Sequence, residues 1–209
     1  HQFSVIGPGS GNVFRRNRIW NNGSGILISG PCTGTIAHSN VLFDSADIVV
    51  GSSGATTNAK VYNNTFVKTL FPGSQGITVQ TGVGTTDATL VKNNIIIDVD
   101  GTALTVDTGV TNTVIDTTLF FNNTTNIVNT GTGTTITNSI TADPLFVSKA
   151  GRDFHLTSAS PAKDAGLALT DVPDDKDKVS RPQGSAYDIG AYEFVEAVAG
   201  FPAPTIFLA

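Results

Sequence analysis

A short phrase that recurs at nearly regular intervals constrains the fold of this 209-residue chain more than any other feature. Segments such as FRRNRIWNN, KVYNNTFVK and LVKNNIIID align with one another, and successive copies are separated by 23, 24, 30, 23 and 21 residues. The residues on which the copies align, called anchors below, are Asn17, Asn40, Asn64, Asn94, Thr117 and Asn138. Repetition of this length is typical of solenoid proteins, in which each repeat packs only against its neighbours.

Apolar residues recur in step with the anchors. Two residues after each anchor stand Ile19, Leu42, Phe66, Ile96, Leu119 and Ile140, and a second row contains Ile26, Ile48, Ile77, Leu104 and Ile127. Alternation with a period of two describes short strands stacked coil upon coil, whereas helical repeats would need an apolar period of about 3.6. We therefore predict an all-β fold, a right-handed parallel β-helix of about six coils with a C-terminal cap, because parallel crossovers are almost always right-handed.

The anchor asparagines are expected to be structural, because their amides can tolerate a bend and hydrogen-bond from coil to coil. The repeats stop near residue 142, which predicts three parts: β-helix coils over 1–142, a final coil and cap over 143–194, and a linker or tail over 195–209. The first residues are too short and too rich in glycine to cap a β-helix. We therefore expect further coils upstream, in a longer parent chain.

Charge and composition exclude several classes of function. A net charge of −5 gives no basic field for nucleic acid, and no apolar run approaches the ~20 residues that a membrane span requires. The single cysteine, Cys32, excludes an internal disulfide.

The end of the chain carries several phrases in a fixed order. DPLFV, which begins at Asp143, is followed by SPAKDAG, by RPQG and finally by DIGAYEF, which ends at Phe194. This order resembles the C-terminal end of secreted bacterial β-helix proteins of the pectate-lyase-like superfamily, including the group named for its variable C-terminal anchors. The resemblance implies a secreted protein that handles polysaccharide. We expect Arg181 to pair with Asp188 or Asp164, and the apolar phrases to cover the open end of the last coil.

Residues two before the anchors form a row that should point outward. This row contains Arg15, His38, Tyr62 and Lys92, with Ile115 in the next repeat. Elimination from an acidic polysaccharide requires a cation beside the uronate carboxylate and a base that removes the neighbouring proton. Arg15 is the candidate cation, and His38, Tyr62 or Lys92 is the candidate base. The alternative is that these positions are polar only because they face water.

A second row, four residues after the anchors, contains Asn21, Asp44, Lys68 and Asp98. Asp44, Lys68 and Asp98 are candidate substrate-binding residues, although alternating charges could equally form an ion ladder that holds the coils in register. Together with Asp47 and Asp100, the carboxylates could instead provide the acid and base of a glycoside hydrolase. The Asn-Thr-Asp and Asp-Asp phrases of polygalacturonase-type enzymes are absent, so hydrolysis ranks below elimination.

Two loops carry further candidates. The longest repeat contains Phe71, which could stack on a sugar ring or fold back onto the coil. An acidic loop contains Asp171, Asp175 and Asp177, whose oxygens could bind calcium or simply face solvent.

These features predict a protein that acts on an acidic, pectin-like polysaccharide, by β-elimination if it is an enzyme. A non-catalytic structural or adhesive solenoid, and a carbohydrate-binding module, are the alternatives.

Overall fold

The computed structural model describes residues 3–6, 9–20, 25–44, 47–68 and 75–196. Within these ranges the structure is entirely β and turn, without a helix, and strands recur in the same order once per coil. The prediction of an all-β parallel solenoid is therefore confirmed.

Each of the first four coils contains four short strands. Coil one has β1 (Phe3–Ile6), β2 (Gly9–Ser10), β3 (Val13–Arg15) and β4 (Arg18–Trp20). Coil two has β5 (Ile26–Ser29), β6 (Cys32–Thr33), β7 (Ile36–His38) and β8 (Val41–Phe43). Coil three has β9 (Ile48–Val50), β10 (Thr56–Thr57), β11 (Lys60–Tyr62) and β12 (Thr65–Val67). Coil four has β13 (Ile77–Val79), β14 (Thr86–Asp87), β15 (Leu90–Lys92) and β16 (Ile95–Ile97).

The last two coils contain three strands each, and a hairpin follows them. Coil five has β17 (Thr102–Val106), β18 (Val114–Asp116) and β19 (Leu119–Phe121). Coil six has β20 (Thr125–Asn129), β21 (Thr135–Thr137) and β22 (Ile140–Thr141). The hairpin consists of β23 (Phe146–Ser148) and β24 (Asp153–Leu156), which pair antiparallel.

Equivalent strands of successive coils form parallel sheets that run along the solenoid. Three sheets have six strands each, and they begin at β1, β3 and β4; a short sheet of four strands begins at β2. The sheets that begin at β3 and β4 are called the third and fourth sheets below. Alternate side chains point inward and form one continuous apolar core along the solenoid, with Ile28, Val61, Phe66 and Leu104 among its members.

The anchor asparagines are structural, as predicted. The side-chain amide of Asn17 donates to Oδ1 of Asn40, that of Asn40 to Asn64, and that of Asn64 to Asn94, over 2.9–3.1 Å. The same oxygens accept the backbone N–H of the preceding anchor, so each amide satisfies polar groups that the bend leaves unpaired. The left-handed conformation falls instead on the residue before the anchor, for example on Asn63 (φ 48°) and Asn93 (φ 55°).

The predicted register is wrong by one residue in coil five. Lys92 lies beside Asp116 rather than Ile115, and Leu119 lies beside Ile95, which makes Thr118 the anchor instead of Thr117. Coil six follows the same shift. The sequence does not distinguish the two registers here, because the apolar run LFF places a large apolar side chain inward in either one. In the structure the inward residue is Phe120.

Residues 143–194, called the cap below, lie along the flank of the solenoid and not over its last coil as predicted. Phe154, Leu156, Ile189 and Tyr192 of the cap are buried against the outer side of the fourth sheet. The apolar residues that the fourth sheet presents to them are Val41, Phe43, Val67, Ile95, Ile97 and Leu119. This sheet is apolar on both faces, so its outer face provides more apolar surface for burial than the end of one coil.

The phrase DIGAYEF joins the cap to the coils through backbone contacts. The amide of Asn63 donates to the carbonyl oxygens of Asp188 (2.9 Å) and Gly190 (3.2 Å), and the N–H of Ala191 donates to Oγ1 of Thr65 (2.9 Å). Gly190 has φ 95°, and a Cβ there would lie 2.6 Å from Cδ1 of Ile95. Glycine is therefore required at the closest approach of the cap to the sheet.

Arg181 holds the cap together internally. Its guanidinium pairs with the carboxylate of Glu193, and it also donates to the carbonyl oxygens of Asp188 (3.0 Å) and Gly190 (2.9 Å). The predicted side-chain partner, Asp188, is close by but accepts the backbone N–H of Asp164 instead (2.7 Å). The phrase DIGAYEF therefore has a structural role, because it holds the cap against the side of the solenoid.

Candidate functional site

A cleft of about 310 Å³ opens where the hairpin of the cap meets the outer side of the fourth sheet. It is called the flank cleft below, and its lining residues are Phe43, Asp44, Val67, Lys149, Ala150, Arg152 and Phe154. The solenoid contributes one wall and the turn of the hairpin contributes the other. Concave sites of this size with a few convergent polar groups are typical of small-ligand binding.

Aromatic side chains form the floor and one rim of the flank cleft. The ring of Trp20 stacks on that of Phe43, with centroids 5.8 Å apart and planes 3° apart, while Phe154 packs against the same ring at 5.7 Å. Phe43 is buried, but Trp20 is 50% exposed. Large aromatic side chains usually lose most of their exposure in the folded state, so an indole held open beside a cleft is a candidate contact for a ligand.

Two cations contact this aromatic stack, and a third lies on the hairpin wall of the cleft. The guanidinium carbons of Arg18 and Arg152 lie 5.0 and 4.9 Å from the centroid of the Phe43 ring, and Arg18 also donates to the carbonyl oxygen of Arg152. Lys149 lies on the same turn of the hairpin as Arg152. Asp44 and Asp98 pair with Arg152 and Lys149, so the cleft combines cations with carboxylates.

The second predicted row lies at the same place. Backbone hydrogen bonds place Asp44, Lys68 and Asp98 at equivalent positions of three successive coils. Asp44 pairs with Arg152 (3.3 Å) and Asp98 with Lys149 (2.9 Å), so the two outer carboxylates fix the cations of the hairpin. The substrate-binding role of this row stays a prediction. Asn21, the first member of the row, and Phe71, the candidate for stacking on a sugar ring, lie outside the described residues.

Lys68 and Asp47 form a buried ion pair beside the row. Their Nζ and Oδ1 atoms are 3.8 Å apart, and the side chain of Lys68 is 1% exposed. Burial lowers the pKa of Lys68 to about 8, against the attraction of Asp47 and Asp44. Burial also raises the pKa of Asp47 to about 6, against the opposing effects of Lys68 and a backbone hydrogen bond from Gln75. Groups perturbed in this way are frequent at functional sites and also occur in structural pairs.

The residues of the first predicted row are neighbours on adjacent strands, but some of them are buried and do not face solvent. Arg15, His38, Tyr62 and Lys92 are neighbours on consecutive strands of the third sheet. Arg15 is exposed and Lys92 is half-buried, whereas His38 and Tyr62 are 1% and 3% exposed. Val172 of the cap packs over Tyr62, and burial lowers the pKa of His38 to about 4, an effect to which Arg15 adds. A catalytic role for this ladder stays a prediction, and the cap covers its two middle members.

The acidic loop does not assemble a metal site in the part of the chain that the structure describes. Asp171 pairs with Lys60 (2.7 Å), and Asp177 lies 2.9 Å from Nε2 of His155. Asp175 is buried, and its carboxylate accepts backbone N–H groups of its own turn and of Glu193. The three carboxylates therefore point to different partners, and calcium binding stays a prediction.

A family model described as disaggregatase related matches residues 17–175, from the first anchor into the acidic loop of the cap. The match covers more than half of the chain. The chain belongs to the disaggregatase-related family. No curated protein matches this disaggregatase-related chain. The match contains the flank cleft, but it ends before DIGAYEF, the phrase on which the resemblance to pectate-lyase-like proteins rests. No helix among the described residues is long and apolar enough to cross a membrane.

Sequence reasoning missed most of the flank cleft of the disaggregatase-related chain. It identified Asp44, Lys68 and Asp98, but it gave no role to Trp20, Arg18, Lys149 or Arg152. One sequence feature could have indicated the location, because strands such as VLF and III are apolar at every position. Strands of this kind are buried on both faces, which indicates that another segment covers the fourth sheet.

Proposed function

We propose that this disaggregatase-related β-helix protein binds an acidic polysaccharide at the flank cleft. The observation that supports this most is the half-exposed indole of Trp20, which stacks on Phe43 beside the guanidinium groups of Arg18 and Arg152. An indole provides a flat apolar face for a sugar ring, and guanidinium groups bind carboxylates in a bidentate manner. The chemistry of the rim therefore fits a uronate better than a neutral sugar.

The cations of the cleft can bind a uronate without leaving their partners. Lys149 and Arg152 are 48% and 45% exposed, while their partners Asp98 and Asp44 are 7% and 8% exposed. Removal of a cation from a buried carboxylate is costly. An ammonium group has three N–H donors and a guanidinium has five, so a uronate can bind from solvent while both pairs persist.

Cleavage of the bound polysaccharide is a more specific proposal than binding alone. β-Elimination requires a cation and a base within reach of the same sugar, and the row from Arg15 to Lys92 contains both kinds of group. His38 and Tyr62 lie beneath the cap, however, so binding at the flank cleft has more support than elimination at this row. A secreted location is part of the proposal, and it rests on the resemblance of the C-terminal phrases.

Binding can be measured through Trp20, the only tryptophan of the chain. The protein is titrated with polygalacturonate, alginate and rhamnogalacturonan, with a neutral glucan as control, while indole fluorescence is recorded. We expect a saturable change with the acidic polymers that weakens as salt is added, because rim charges are screened. Absorbance of unsaturated products in the same samples tests elimination.

Two variants and a control connect the binding to the flank cleft. Arg152→Gln and Lys149→Gln should each weaken binding several-fold, as followed by Trp20 fluorescence, whereas Lys178→Gln removes an exposed charge elsewhere on the cap and should not. If a folded wild-type protein binds none of the acidic polymers, the proposal is refuted and a structural solenoid is favoured. If all three variants weaken binding equally, the binding is non-specific.

A further inference from the structure

All three long sheets of the solenoid end together at coil six. β20, β21 and β22 each occupy the last place in their sheet, after which the chain leaves for the flank as the cap. Among the residues that the structure describes, no strand pairs with the outer side of this coil. Such an edge presents a row of unpaired backbone N–H and C=O groups to its surroundings.

This edge lacks the features that usually prevent edge strands from pairing. No charged residue and no proline occurs between Asp116 and Asp143, a stretch that includes the whole of coil six. Ile136, which continues the core row of Ile115, is 43% exposed, and Ile127 is only partly buried against the core. Val128 alternates with Ile127 and is 40% exposed on the outer face of the same edge strand. Natural edge strands are usually protected by lysine, proline or bulges, so an uncharged edge with open apolar side chains indicates a binding surface.

We infer that coil six is a self-association surface, on which a second copy of this chain binds end to end about a two-fold axis. Two chains that each carry a net charge of −5 repel one another. Coil six has no charged residue, so two copies can meet there without placing like charges against each other. A two-fold axis midway between β20 and its copy, perpendicular to the strand and to the solenoid axis, makes the two strands run antiparallel. Antiparallel pairing then satisfies the backbone groups of both edges.

The size of the surface predicts a weak dimer. Val128 pairs with Thr105, so one coil advances the chain by about 23 residues. A closed coil of that length, at ~3.3 Å per residue, encloses roughly 400 Å². Two copies would bury about 800 Å² in total, below the roughly 1,000 Å² that a stable interface needs, so the backbone hydrogen bonds between the two edges must supplement the buried area. We therefore expect the dimer to form as the protein concentration rises.

Sedimentation velocity over a wide range of protein concentration tests this inference. The variants Val128→Lys and Ile136→Lys each place a charge at the edge, and Val83→Lys makes the same change at an 85% exposed valine on the side of coil four. We expect the wild type and Val83→Lys to dimerise alike, and each edge variant to weaken the dimer at least tenfold. Circular dichroism and thermal unfolding confirm that the variants remain folded.

Three outcomes would overturn the inference. The first is a wild-type protein that remains monomeric at the highest concentration. The second is a dimer that Val128→Lys and Ile136→Lys weaken no more than Val83→Lys does. The third is growth into filaments, because a two-fold interface closes at two copies and a head-to-tail interface does not. None of these results depends on whether the flank cleft binds polysaccharide.

Discussion

Replacement of Arg181 by methionine should release the cap from the solenoid. Both Arg181 and its partner Glu193 have side chains that are 0% exposed. Burial lowers the pKa of Arg181 and raises that of Glu193, while the two charges oppose these shifts. In the variant, the carboxylate of Glu193 must either stay charged without its partner or take up a proton.

The cost of protonating Glu193 sets the expected loss in the free energy of unfolding. Protonation of a carboxyl group of ordinary pKa at pH 7 costs about 3.5 kcal/mol, because each pKa unit corresponds to about 1.4 kcal/mol. The carbonyl oxygens of Asp188 and Gly190 also lose a donor. We therefore expect Arg181→Met to lower the free energy of unfolding by about 3–5 kcal/mol, the usual range for a broken buried pair. At pH 5 the loss should be about 2–3 kcal/mol smaller, because protonation becomes easier.

Urea unfolding followed by Trp20 fluorescence measures this loss, because Trp20 stacks on Phe43, which Phe154 of the cap also contacts. Lys178→Met, at an exposed cation of the cap, is the control and should change the free energy by less than 0.5 kcal/mol, as about ±0.5 kcal/mol is usual for surface changes. The double variant Arg181→Met/Glu193→Gln should recover part of the loss. A loss below about 1 kcal/mol, or one that does not depend on pH, would refute the reasoning.

Three further changes test other parts of the structure. Asn64→Ala removes four hydrogen bonds inside the asparagine ladder and should cost about 3–5 kcal/mol in urea unfolding, whereas Asn17→Ala, at the end of the ladder, should cost about 1 kcal/mol. Gly190→Ala would place a methyl group against Ile95 in a left-handed conformation and should lower the thermal midpoint through a loss of about 2–4 kcal/mol. Burial lowers the pKa of His38 in the folded state to about 4, from its ordinary value of 6.5, so the unfolded chain binds more protons between these two values. The free energy of unfolding should therefore fall by about 2 kcal/mol from pH 7 to pH 5, and His38→Gln should abolish this part of the pH dependence.

The fold could be predicted from the sequence because the repeats report local pairing. Asn40, Asn64 and Asn94 recur at the bend of each coil, and the row from Arg15 to Lys92 follows from the same spacing. The register failed only where the apolar run LFF made two alignments equivalent. The repeats are sufficient to predict the fold of a solenoid, since each coil contacts chiefly the coils before and after it.

The position of the cap required the tertiary structure. The phrases of the cap identify it as a separate part, but they do not state which surface of the solenoid it covers. That choice depends on the outer face of the fourth sheet, where Phe43 and Ile95 offer apolar area for burial, and on the amide of Asn63, which binds the backbone of DIGAYEF. The contact of Asn63 with Asp188 joins residues 125 positions apart, beyond the reach of any local pattern.

The sequence by itself therefore determined the architecture of this protein and the order of the side chains along each sheet. Only the tertiary structure decided which of those side chains face solvent: it covered His38 and Tyr62 and left Trp20 open beside Arg152. Among the described residues it also left the outer side of coil six without a paired strand. The physical reason is that strand stacking follows from repeated short-range hydrogen bonds, whereas docking of the cap depends on the total apolar surface that two distant segments can bury together.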